Sequence, residues 1–197
     1  HAGGLKSILK GMPVRRLLSS AGVEKFLSDQ RFKPDQYPAN EHCEAGLRWE
    51  LDGVVFQMLN SDDSNLKSSS NARSCILKVE GAHHRALLPG DIGTNEEARL
   101  IASHDISSDV VLMPHHGSRT SSSISFVALS GARHAVAQVG YLNRFKHPDP
   151  LVVDRWKQAK SQIWRTDQHG ALVFESTQRG LSASAWRSQM KRYWHHL

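Results

Sequence analysis

The apolar positions of this chain change period along its length. "GGLKSILKGMPV" places Leu5, Ile8 and Leu9 on one helical face, and Gly11 and Pro13 stop it, which predicts a short helix over residues 4–10. "VRRLLSS" predicts a short strand. "DQRFKPDQYPANEH" (residues 29–42) carries two prolines among polar residues and reads as loop. In "LRWELDGVVFQML" an Asp-Gly pair divides two apolar runs, the signal of a hairpin turning at Asp52-Gly53. "NSDDSNLKSSSNAR" (residues 60–73) is a polar low-complexity loop.

From Ser74 onward strands and helices alternate. "SCILKVE" and "RALLPGD" read as strands with His83 and His84 in the turn between them, and "NEEARLIAS" as a helix with its acids in the first turn. "DVVLMPH" is a continuous apolar run, the mark of a strand buried on both faces. "SISFVALSG" reads as a helix closed by Gly131, "HAVAQVG" as a strand, and "DPLVVDRWKQAK" as a helix with Asp149 at its N-cap and Pro150 following. "SQIWRTD" and "ALVFES" are expected to form a last hairpin through Gln168-His169-Gly170. "QMKRYWHHL" ends the chain as a basic, aromatic tail. The order is mixed α/β, and its strands often end on polar residues, where α/β proteins gather their sites.

Composition narrows this little. The 197 residues suit one domain with a core; 39% are hydrophobic and 22% charged, which excludes a disordered chain. A formal charge of +6 permits a polyanionic partner. No apolar run is long enough to span a membrane, and no signal peptide is visible. The two cysteines, Cys43 and Cys75, lie far apart without CxxC spacing, so neither a disulfide framework nor a zinc knuckle is expected. The opening "HAGG", without an initiator Met, suggests a fragment of a longer protein.

Twelve histidines change the picture more. Asp91 follows an apolar strand and Gly90, so it either caps the next helix or is a carboxylate held toward a metal. His115 and His116 follow Pro114 and precede Gly117. Successive residues of a strand point to opposite faces, but a turn at Pro114 would let both face one site, and imidazole with carboxylate suits zinc, manganese or iron. Ser118 can cap the following helix. His147 precedes Pro148 and so is biased to extended backbone, with Asn143, Arg144 and Lys146 just before it. His1 opens the chain ahead of small residues and a helix.

These stretches together resemble the metallo-β-lactamase-type domain at the C-terminus of the ComEC family of DNA-internalisation proteins. "HAGG" is similar to the end of that family's His-x-Asp-x-Asp-His-x-Gly-Gly motif. "CEAGLRWELDGVVFQML", "NARSCILKV", "ALLPGDIGTNEE", "VVLMPHHGSRTSSS", "GYLNRFKHP" and "RTDQHGALVF" follow in the family's order. The likeness covers roughly residues 1–176. It departs at the start, where the first His and both Asp of the motif are absent, and at Lys146, which stands where the family has Gly. Asn71 stands near where many metallo-β-lactamases place a histidine ligand.

The resemblance implies a metallo-β-lactamase-like αββα sandwich lacking part of its N-terminal half, over residues 1–176, with residues 177–197 as a basic tail. It implies a metal-dependent hydrolase that cleaves DNA phosphodiesters during transformation. Two divalent ions, Mn or Zn, would be held by His1, Asp91, His115 and His116. Asp91, His115, His116 and His147 would be the catalytic residues, His147 as a ligand or as the acid that protonates the leaving oxygen. Ser118, Arg119, Thr120, Asn143 and Arg144 would grip the DNA backbone. The partners implied are DNA and the membrane channel of the same polypeptide, with no small-molecule cofactor beyond metal. The place implied is the bacterial inner membrane, with this domain on its periplasmic or outer face. The alternatives are a DNA-binding or channel-docking module that does not turn over, a small-molecule metallo-hydrolase on the same scaffold, and a purely structural domain.

Overall fold

A computed structural model of the chain describes residues 4–20, 23–60 and 69–190. The large sheet has seven strands in sequence order: β3 (Arg48–Leu51), β4 (Val54–Met58), β5 (Leu77–Glu80), β6 (Arg85–Leu88), β7 (Val110–Leu112), β8 (His134–Ala137) and β9 (Gln162–Arg165). Strands β3 to β6 pair antiparallel, and β6 to β9 pair parallel. The hairpin turns at Asp52 (φ 50°) and Gly53 (φ 76°), as the Asp-Gly signal requires.

The parallel crossovers carry α3 (Thr94–Ser103), α4 (Ile124–Ser130) and α5 (Pro150–Gln158), and all three helices share one core with the sheet. Period two decides which side chain goes where. Leu87, Val111, Ala135 and Ala137 face the helices, against Leu100, Phe126, Val152 and Trp156. Val110 and Val136 face the other way, with Trp164 and Ala185, and Ala86 and Leu112 pack beside them. Both faces of β7 are therefore covered, as its unbroken apolar run predicts.

The second face is covered by an antiparallel pair, β10 (Leu172–Thr177) and β11 (Gly180–Ala185). Two expectations are corrected here. β9 does not turn back into β10: it joins the large sheet beside β8, and α6 (Thr166–His169) carries the chain across to the small sheet. β10 pairs instead with β11, so the folded body continues past residue 176, where a tail was expected, through a short α7 (Trp186–Gln189). "GLSASA" alternates apolar and small polar residues, and its inward positions Leu181, Ala183 and Ala185 join the core under the hairpin.

The N-terminal part makes a small satellite. α1 (Leu5–Gly11) and α2 (Val23–Asp29) pack around Leu27, Val23 and Phe32 with Leu5, Leu9 and Phe26. β1 (Leu17–Ser19) pairs parallel with β2 (Asn40–His42), a short strand where only loop was expected. The cysteine expectation is also corrected: Cys43, just after β2, and Cys75, just before β5, form a disulfide with Cα atoms 5.5 Å apart. Spacing along the chain says nothing about such a distance, because the sheet folds the two segments together. Among the described residues no helix is long and apolar enough to cross a membrane.

Candidate functional site

Parallel strands all release their carboxyl ends at one edge of the sheet, and the candidate residues collect there. Asp91 lies just past β6, His115 and His116 just past β7, and Gln138 just past β8. The chain leaves β7 through a turn over Pro114–Gly117 in which His115 (φ 50°) and His116 (φ 58°) are both left-handed. That conformation is uncommon for a side-chain-bearing residue. It turns two adjacent imidazoles toward the same end of the sheet, which a regular strand would not do.

The two neighbouring glycines are needed for this packing. Gly90 (φ +64°) lies so close to Ser74 that a Cβ there would come within 2.7 Å of the serine Cβ. A Cβ on Gly117 (φ +80°) would come within 2.6 Å of the Pro148 Cβ. The backbones are then laced together. The His115 N–H donates to the Gly90 carbonyl (3.0 Å), the Asp149 N–H to the Gly117 carbonyl (2.8 Å), and the Asp91 N–H to the Ser74 hydroxyl (3.0 Å).

The hydrogen bonds assign the two histidines different roles. His116 Nδ1 lies 2.7 Å from the Gln138 carbonyl, which can only accept, so Nδ1 carries a proton. His116 Nε2 then faces Asp91 Oδ1 at 3.4 Å. In a neutral ring this sets a nitrogen lone pair against a carboxylate, an arrangement that calls for a proton or a cation between them. His115 Nε2 lies 3.2 Å from the Asn71 side-chain amide, whose N–H donates to it. His115 also meets His147 edge to face, with ring centroids 6.1 Å apart.

His147 is the most constrained of the set. Among the described residues its Nδ1 is buried with no hydrogen-bond partner. Burial holds its pKa below the ordinary histidine value, the positive potential of His115 and His116 adds to this, and Asp149 and Asp91 oppose it. Asn143 shapes the loop that carries His147: its amide donates to the His147 carbonyl (2.9 Å) and its oxygen accepts from the His147 N–H (2.9 Å).

The structure thus brings Asp91, His115, His116 and His147 to one sheet edge; His1 lies outside the described residues. The residues expected to hold a polyanion are less uniform. Ser118 is buried with its hydroxyl on Thr120 (3.1 Å), and Thr120 itself is exposed. Arg119 is exposed and paired with Asp149 (3.0 Å). Asn143 is committed to its own loop, and Arg144 lies exposed with its guanidinium 4.6 Å from the Phe145 ring centroid.

A cleft of about 790 Å³ opens beside the site. Asn71, Ser74, Gly90, Asp91, His116 and Gln138 form its polar side, and Leu5, Ile8, Leu17, Val23 and Phe26 its apolar side. Three contributors were not legible in the sequence. Gln138 acts through its carbonyl, which carries no residue signature. Ser74 acts through a contact made only when β5 and β6 pair. Glu97, fully buried on α3, accepts the N–H groups of Ser122 (2.5 Å) and Ser123 (2.7 Å) and so holds the segment after the His-His turn. Its place in the first turn of a helix had suggested only a dipole role.

The donors are of the kind that bind zinc or manganese: imidazole nitrogens, one with its second nitrogen on a backbone carbonyl, and a carboxylate. The orphaned Nδ1 of His147 fits the same chemistry. Among the described residues, however, no three such side chains form a group that could hold an ion.

No protein-family model matches the chain. It is 36% identical over 165 residues to competence protein ComA of Neisseria gonorrhoeae, covering 82% of this chain and 23% of that protein. It is 29% identical over 172 residues to recombination protein 2 of Haemophilus influenzae (87% and 20%) and 26% identical over 181 residues to ComE operon protein 3 of Bacillus subtilis (88% and 23%). The chain therefore spans about a quarter of the length of these relatives or less. Among solved structures it is similar to the metallo-β-lactamase fold protein YhfI of Bacillus subtilis, with a TM-score of 0.48 and 10% identity over 84% of this chain and 69% of that one. It is also similar to Zn(2+)-bound PqqB of Methylobacterium extorquens, with a TM-score of 0.43 and 13% identity over 82% and 66%.

Proposed function

We propose that this chain is the metallo-β-lactamase-type domain of a ComEC-type DNA uptake protein and that it hydrolyses DNA phosphodiesters. The observation that carries this reading is the meeting of Asp91, His115, His116 and His147 at the carboxyl ends of parallel strands. The names of the relatives, two of them competence or com-operon proteins and one a recombination protein, supply the DNA context.

Asp91 and His116 would hold a divalent ion, with His115, His147 and His1 as the other candidates. Two such ions, Mn or Zn, would lower the pKa of a bound water and neutralise charge growing on the phosphate. The protein's own parts in the reaction follow from their contacts. The Gln138 carbonyl keeps His116 in the Nδ1–H form, so that Nε2 is turned to Asp91. Asn71 lies against His115 Nε2 and fixes that ring's orientation, which makes His115 a weaker candidate ligand than His116. His147, whose Nδ1 has no hydrogen-bond partner among the described residues, would be the group that exchanges a proton with a leaving oxygen. Arg144, Arg119 and Thr120 stand on the exposed side of the site, where they would contact phosphates, while Ser118 and Asn143 would act by shaping their segments.

The same reading implies a partner in the membrane channel of the same polypeptide and a place on the outer face of a bacterial inner membrane. The Cys43–Cys75 disulfide is consistent with an oxidising compartment. The test is incubation of the domain with manganese or zinc and end-labelled DNA. Metal-dependent release of label that Asp91→Ala abolishes supports the hydrolase. DNA binding without cleavage would turn the reading to the non-hydrolytic module.

A further inference from the structure

The loop between β8 and α5 displays apolar side chains largely to solvent. Tyr141, Leu142 and Phe145 are 63%, 82% and 64% exposed. This is not slack. Asn143 closes the loop through both ends of its amide, the Lys146 N–H donates to the Asn143 carbonyl (3.0 Å), and the Asn143 N–H to the Gly140 carbonyl (3.3 Å). Leu142 (φ 51°) and Lys146 (φ 55°) sit in the left-handed region, which is sterically unfavourable for residues with side chains. A rigid turn that holds rings outward in this way is organised for contact.

The contents of the loop say with what. Phe145 stacks on His147, with centroids 5.7 Å apart and planes within 16°, and His147 meets His115. The guanidinium of Arg144 lies over Phe145. A series of stacked and touching planar groups therefore runs outward from the candidate site: His115, His147, Phe145, Arg144. Lys146 adds a second cation, and "GYLNRFKHP" contains no acid. Aromatic rings interleaved with Arg and Lys are what stack and neutralise unpaired nucleotides, and such stacking needs bases that are not already buried in a duplex. A membrane surface would also accept rings and cations, but it would not require that the rings be continuous with the imidazoles of a catalytic edge.

We propose that Tyr141, Arg144 and Phe145 form a base-stacking platform that selects single-stranded DNA, or the unpaired end of a duplex, and seats the neighbouring phosphate at the His147 edge. This rests on the reading of DNA as the substrate, and it assigns residues and strand preference that the reading leaves open.

The test measures binding apart from cleavage. A fluorescent single-stranded oligonucleotide and the corresponding duplex are titrated with the domain in EDTA, by anisotropy, and a 2-aminopurine base reports stacking by its quenching. The wild type should bind the single strand more tightly and quench the probe. Tyr141→Ala/Phe145→Ala should weaken single-strand binding by about tenfold or more and abolish the quenching, with little change for duplex. Phe145→Trp should retain both. Leu129→Ala, which trims an equally exposed apolar residue on α4, should change neither. Equal losses on single strand and duplex, or no loss, would overturn the platform while leaving DNA as the substrate. Alanine variants that bind DNA normally but lose binding to phosphatidylglycerol vesicles would reassign the loop to a membrane surface. Absence of any DNA binding by the wild type would sink the DNA reading itself, and the platform with it.

Discussion

The large sheet has two halves that do different work. β6 to β9 run parallel and deliver their carboxyl ends to one edge, and that edge holds the candidate metal-ligating and acid–base residues among the described residues: Asp91, His115, His116 and, beyond β8, His147. β3 to β5 alternate in direction, so only alternate ends reach the same place. They bring amides, a hydroxyl and a disulfide: Asn60 ties down the backbone at Ser74 and Ile76, Asn71 reaches His115, Ser74 holds the Asp91 N–H, and Cys75 is bonded to Cys43. The proposed reacting groups therefore come from the parallel half, and the antiparallel half contributes only groups that position them.

Breaking the parallel half should cost activity and spare the fold. Asp91 is partly solvent-accessible and its removal leaves the core untouched, so Asp91→Ala should lower metal-dependent DNA hydrolysis by roughly a thousandfold or more. Its denaturant midpoint should stay close to wild type. A large fall in stability with residual hydrolysis would reverse the assignment of the two halves.

Breaking the antiparallel half should do the opposite. The disulfide closes a separation of 32 residues. The chain-entropy relation gives such a loop about 3–4 kcal/mol. Cys43→Ser/Cys75→Ser should lose about that much in urea unfolding, and dithiothreitol should reproduce the loss in the wild type and do nothing further to the variant. Because Cys75 adjoins Ser74, hydrolysis should also fall, by less than in Asp91→Ala.

Glu97 sharpens the comparison from inside the parallel half. It is a buried acid that positions rather than reacts, holding the segment after the His-His turn. Glu97→Gln places an amide N–H against a backbone N–H and should cost about 2 kcal/mol. The pH dependence has a definite sign. Burial raises the Glu97 carboxyl above its ordinary value, outweighing the hydrogen bonds from Ser123 and Ser122 and the charge of Arg155. The folded state thus keeps this proton to higher pH than the unfolded chain. The contribution is complete below the unfolded value and is lost as pH rises through the folded one. Urea midpoints measured across that window should fall more steeply in the wild type than in Glu97→Gln.

What the sequence disclosed follows the same division. Features set by near neighbours were legible: the Asp52-Gly53 hairpin, the Gly131 cap, and Asp149 accepting the Leu151 N–H ahead of Pro150. So were the strand-end Asp91 and the His-His-Gly turn, because a polar residue after an apolar run is a local signal. Features set by distant partners were not. Nothing beside "SQIWRTD" says that its partner is β8 and not the strand that follows it, and nothing beside Cys43 says that the sheet brings Cys75 to it. β11 was a different failure: "GLSASA" alternates as a strand should, but small residues make a weak apolar signal.

The smallest expected effect separates a contact that is merely present from one that matters. Arg119 and Asp149 form an ion pair at 3.0 Å close to the site. The Arg119 side chain is 69% exposed, and exposed pairs contribute between nothing and about 1 kcal/mol. Asp149 also accepts the Leu151 N–H at 2.9 Å, which caps α5 and does not depend on Arg119. Arg119→Ala should therefore shift the urea midpoint by well under 1 kcal/mol equivalent, while Asp149→Ala should cost about 1 kcal/mol through the lost cap. If Arg119→Ala leaves stability intact but weakens DNA binding and flattens its salt dependence, the arginine belongs with the reacting edge and not with its scaffold. If it costs as much stability as Asp149→Ala, the pair is part of the scaffold, and the division drawn by strand polarity fails at this corner.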